Sequence, residues 1–73
     1  MFLHTSSSSL FTVMAFPESP ESEPQTIGCW MSFDEACLSA REFAESTLGI
    51  ESTVVYGMQP NGSLGPGEAC FLG

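Results

Sequence analysis

The side chains able to do chemistry are few: Cys29, Cys37 and Cys70, a single histidine at His4, and nine acids set against one cation, Arg41. A zinc site needs thiolates and imidazoles converging on one point, and its modules supply them from closely spaced pairs such as Cys-x-x-Cys. Neither the three cysteines nor His4 falls at such a spacing. The thiols therefore read as free and buried, with Cys37 acting as a small hydrophobe. A bridge between Cys29 and Cys70 stays open.

Covalent catalysis requires a nucleophile beside a positioned base. His4 precedes the serine run Ser6 to Ser9, and residues 1–9 read as a flexible arm, so no Cys-His or Ser-His pair is held in place. The carboxylates fall at solvent-facing helix and loop positions, where they keep ordinary protonation and do no acid-base work at neutral pH. Gly62, Gly65 and Gly67 superficially suggest a phosphate loop, but no lysine accompanies them and Pro66 separates two of them. They read as turn glycines. The expectation is a protein that is not an enzyme and has no cofactor and no metal.

Charge is what stands above background. Nine acids against Arg41 give a formal net charge of −8 in 73 residues. Such a surface repels nucleic acid directly and attracts basic proteins. Acidity also serves simply to keep a small apolar-rich chain in solution, and that plainer reading holds for many acidic domains.

The stretch Ser32 to Gln59 must position these groups. Ser32 and Glu35 form a capping box, each side chain answering the other's amide, and Asp34 and Glu35 put negative charge where the helix dipole favours it. Gly49 marks the stop, so the spacing predicts a helix over Phe33 to Leu48, with Ile50 folding back on Ala44. Phe33, Ala36, Cys37, Ala40, Phe43, Ala44, Thr47 and Leu48 share its core face. The opposite face carries Asp34, Glu35, Glu42 and Glu45, with Leu38 out of pattern among them. Three alanines on the core stripe suit close approach to a sheet.

That sheet begins with Thr53 to Tyr56, a β-branched and aromatic run. Val54, Tyr56 and Met58 share one side and Thr53, Val55 and Gly57 the other; the alternation leaves open which side meets the helix. Gln59-Pro60-Asn61-Gly62 predicts a hairpin through a type I turn with a bulge. Glu68 to Leu72 is then a short edge strand. Upstream, Leu10 to Phe16 reads as the first strand and 17–25 as an acidic Pro/Glu/Ser loop bearing Glu18, Glu21 and Glu23. Thr26 to Met31 returns to apolar character, with Trp30 as an anchor and Met31 as a staple against Ala36.

The order strand, acidic loop, helix, strand, hairpin, strand predicts one α+β domain over 10–73: one amphipathic helix on a three- to four-stranded antiparallel sheet. No apolar run reaches the ~20 residues of a membrane span, so no membrane partner is expected. A secretory signal with a cleavage pattern at Val13 and Ala15 lacks the basic residues that should precede it. A start at Met14 is an alternative.

In size, acidity and scarcity of motifs the chain resembles the small inhibitors encoded by phages and mobile elements, anti-CRISPR proteins and DNA mimics among them. The resemblance covers no stretch residue by residue. It implies a partner class: a nucleic-acid-handling protein or complex, bound stoichiometrically in a bacterial cytoplasm. The expected function is occlusion of a basic surface by Asp34, Glu35, Leu38, Glu42, Glu45, Glu18, Glu21 and Glu23. The alternative is a structural or regulatory domain acting as a homodimer, with Leu38, Phe71 and Leu72 as apolar contacts.

Overall fold

The computed structural model describes residues 10–73. Its elements are β1 (Phe11–Pro17), β2 (Gln25–Trp30), α1 (Phe33–Ser46), β3 (Ile50–Met58) and β4 (Leu64–Leu72). The strands form one antiparallel sheet in the order β2-β1-β3-β4, so the fold is α+β with the helix on the sheet. Because β2 and β3 both run against β1, they are parallel to each other with β1 between them. A parallel pair cannot be joined by a tight turn, and α1 makes the crossover.

The crossover explains where the core sits. A helix returning over β1 covers one face of the sheet and leaves the other. On the covered face Val13 and Val55 are cross-strand partners, both fully buried, and Ala15 faces Thr53. Ala36, Ala40 and Ala44 lie one turn apart along α1 and are buried against them. The side of β3 that meets the helix is therefore the one carrying Thr53, Val55 and Gly57. Phe11 seals the end of the layer, its ring 5.4 Å from that of Phe33 in an edge-on arrangement.

Local chemistry sets the boundaries. The Ser32 hydroxyl accepts from the Glu35 amide at 3.3 Å, opening α1 as its cap. The helix closes earlier than the spacing predicts. Thr47 is already extended, with φ −113°, and its amide donates to the Phe43 carbonyl, while Gly49 takes φ +82°. Leu48 consequently leaves the core stripe and is 98% exposed. Met31 is also exposed rather than stapled to Ala36.

The hairpin follows its expected chemistry: Gly62 has φ +89°, its amide donates to the Gln59 carbonyl at 2.9 Å, and the Gln59 amide donates to the Ser63 carbonyl at 2.7 Å. β3 and β4 are both longer than their apolar runs, reaching back to Ile50 and Leu64. β2 is a strand where the sequence shows only a return of apolar residues. It carries a bulge, since the register with β1 shifts between Val13 and Met14. The Trp30 ring lies over Gly28, close enough that a Cβ there would come within 3.0 Å of it. The indole thus fills the gap that a glycine leaves in a strand.

With Pro17 closing β1 and Gln25 opening β2, the acidic loop is confined to 18–24. Its first amide, on Glu18, donates to the Gly49 carbonyl at 2.9 Å and so ties the loop to the end of the helix. Phe11 and Val13 belong to the core of the central strand. Cleavage after Ala15 or a start at Met14 would remove both. The expected arm, 1–9 with His4, lies outside the described residues.

Candidate binding surfaces

All nine carboxylates are exposed. Asp34, Glu35, Glu42 and Glu45 lie along the outer side of α1, and the rise from Asp34 to Glu45 is about 16 Å at ~1.5 Å per residue. One strand of a nucleic acid places about five phosphates over that length, at ~3.4 Å each. Four carboxylates with one cation among them leave a net of three negative charges over that length, about three-fifths of that linear density. The cation among them, Arg41, sits 3.8 Å from the Glu45 carboxylate with both side chains largely in solvent. An exposed pair at that distance adds little stability, but Arg41 brings the face to a net charge of −3.

Leu38 is 54% exposed within this acidic face. Helical geometry puts Asp34 and Glu42 one turn to either side of it, with Glu35 and Arg41 beside them. Glu18, Glu21 and Glu23 are exposed in the loop that the Gly49 contact holds at the C-terminal end of α1. They neighbour the Glu45 end of the helix. Asp34 and Glu35 stand at the other end, so the eight candidate residues are spread between the helix and the loop at its C-terminal end and are not one cluster.

Two acids escape the sequence reading. Glu51 opens β3, and Glu68 lies in β4 where the register with β3 slips. Glu68 lies near enough to α1 to act on it: burial first, then the Asp34 and Glu68 carboxylates, push the half-buried Cys37 thiol up from its ordinary range. Their only sequence signal was charge.

The other two thiols depart from expectation. Cys29 and Cys70 are exposed and unbridged. They occupy the outer strands, β2 and β4, separated by β1 and β3. Three strand spacings amount to about 14 Å, twice the ~7 Å that a disulfide tolerates between Cα atoms. Among the described residues no group of three or more His, Cys, Asp or Glu is placed to hold a metal ion. No described helix is long and apolar enough to cross a membrane.

The face of the sheet turned away from α1 is a second surface. Register places Met14, Val54 and Cys70 in one row across it, with Thr12 and Tyr56 in the next. Cross-strand contacts confirm the shared side: Thr26 donates to the Met14 sulfur at 3.1 Å, and Thr12 and Cys29 meet at 3.4 Å. Leu72 belongs to this face and is 78% exposed. No described helix or strand packs on it, and Glu68 borders it at the β4 margin beside Val54, Gly67 and Cys70. Phe71, by contrast, turns to the helix side and packs on the core.

No protein family, curated protein or solved structure matches the chain.

Proposed function

We propose that this chain is a non-enzymatic acidic binding protein that occludes a basic, nucleic-acid-binding surface on a partner protein. It does so stoichiometrically, in the manner of the anti-CRISPR and DNA-mimic inhibitors of phages and mobile elements, inside a bacterial cytoplasm. One observation carries the reading: the outer side of α1 presents four exposed carboxylates, a net charge of −3 with Arg41, in one arc around an exposed Leu38. A rigid helix holds them at fixed spacing, which a disordered acidic tail does not. Leu38 acts as a desolvated anchor and the carboxylates as its rim, with Glu18, Glu21 and Glu23 extending contact around the helix end.

The test is capture of partners from bacterial lysate at low and at high salt, followed by rate measurements on the complex. Charge-driven binding weakens steeply with ionic strength. Leu38→Ala should chiefly speed dissociation, whereas Glu42→Gln and Glu45→Gln should chiefly slow association and flatten the salt dependence. Partner binding that survives the triple substitution in a folded protein would move the interface off this helix.

A further inference from the structure

The chain bears eight more negative than positive charges, yet the centre of one sheet face carries none of them. Eight of the nine acids lie elsewhere, along α1, in the 18–24 loop and at Glu51; the ninth, Glu68 in the β4 bulge, stands at the margin of this face, where it borders a hollow with Val54, Gly67 and Cys70. The bare face is built from Met14, Phe16, Val54, Tyr56 and Leu72 with the uncharged polar residues Thr12, Thr26 and Ser52, and the two exposed cysteines lie at its margins. A sheet whose second face meets only water ordinarily alternates apolar with polar and charged residues. On β1 and β3 this side carries Thr12 and Ser52 but no charge, and Met14, Phe16, Val54 and Tyr56 make the rest of it apolar or aromatic.

We infer that this face is the interface of a homodimer in which two sheets stack and the two helices lie outermost. Charge selects the occupant. Two copies of so acidic a chain repel wherever carboxylates confront one another, and a two-fold interface brings each patch against itself. The centre of the bare sheet is a surface on which self-contact opposes no like charges, with Glu68 standing at its margin. A basic partner finds nothing at that centre to pair with.

Size is consistent with the same occupant. Four strands at ~4.8 Å spacing and about seven residues at ~3.3 Å rise give a footprint near 19 by 23 Å. Side-chain relief raises the accessible area above that footprint, toward the ~600–800 Å² per partner at which specific interfaces begin. Stacked sheets settle about 10 Å apart with their side chains interdigitating. At Gly67 the Val54 and Tyr56 side chains already lean over the backbone, where a Cβ would stand 2.9 Å from Val54, so the relief a partner meets there is theirs.

Stacking of the sheets is independent of what the helix binds, and the two respond to salt in opposite senses. Light scattering under reducing conditions, over a micromolar concentration series, should give twice the 7.8 kDa chain mass. The dimer should hold or tighten as salt screens the charge on each copy. Alkylation of Cys29 and Cys70 should slow by about tenfold or more as concentration rises through the dissociation constant.

Leu72→Glu alters a side chain already in solvent and should give a folded monomer; Val54→Glu at the centre of the face should do the same if it folds. Leu48→Glu adds the same charge at an exposed apolar position off the face and should remain a dimer. A monomer mass across the series would overturn the proposal. So would a monomer in which Cys29 and Cys70 are nonetheless protected, which would give the face to another part of the chain. A dimer broken by Leu48→Glu but not by Leu72→Glu would overturn it equally.

Discussion

The Thr53 hydroxyl donates a 2.8 Å hydrogen bond to the carbonyl of Ala40, joining the centre of the sheet to the middle of the helix with both residues fully buried. The contact fixes where along β3 the helix sits, because an apolar interface of alanines alone would tolerate sliding. Thr53→Val keeps the shape and removes the bond. The expected cost is about 1 kcal/mol, a fall of roughly 4–8 °C in melting temperature for a domain of this size. An unchanged melting temperature would show that the helix's own bonding satisfies Ala40.

Aromatic truncations should rank by burial. Phe11 is 5% exposed and packs edge-on against Phe33, so Phe11→Ala should cost about 3–5 kcal/mol. Phe43 is only half-buried, and Phe43→Ala should cost roughly half as much, about 2 kcal/mol. Urea titrations of the two variants settle the order, and equal midpoints would contradict the assigned faces.

Stability should decline on the alkaline side because of Cys37. Its folded thiol is raised by burial, by Asp34 and by Glu68. The unfolded thiol therefore loses its proton first, at about 8.5. The associated stability is fully present below that pH and is lost as pH rises through the higher folded value. Cys37→Ala should flatten the decline, measured as denaturation midpoints at neutral and alkaline pH. A decline of the same steepness in the variant would assign it to other groups.

Gly62→Ala should destabilise the hairpin by about 1–2 kcal/mol. The position has φ +89°, and a Cβ there would meet nothing within 4 Å, so the cost is conformational and not steric. Asparagine at the same site should recover part of the loss. Amide exchange at Gln59 and Gly62 reads the effect locally.

Those features of the fold written in adjacent residues were legible in the sequence. The Ser32 cap, the Gly62 turn, the buried alanine stripe and the two sides of β3 each follow from spacing within a few positions. What depended on distant partners was not. β2 has a polar start and an internal glycine, and it becomes a strand through pairing with β1 and the Trp30 ring filling over Gly28. Leu48 fits the helical period, yet the helix ends at Ser46, before the period reaches it. The acids were recognisable as surface residues from charge alone. The uncharged centre of the outer sheet face was not: apolar residues on both sides of β1 and β3 look alike until the crossover assigns one side to the helix.

The outer edge of β4 limits how this protein can assemble. Pro66 lies within the strand and offers no amide hydrogen, and the register with β3 slips on both sides of Tyr56. A strand arriving from another molecule would find a broken row of donors in place of a template. At the opposite edge, β2 is short and bulged. Neither margin therefore seeds the end-to-end strand addition from which cross-β fibrils grow, and a chain this rich in β-structure is steered away from open-ended polymerisation.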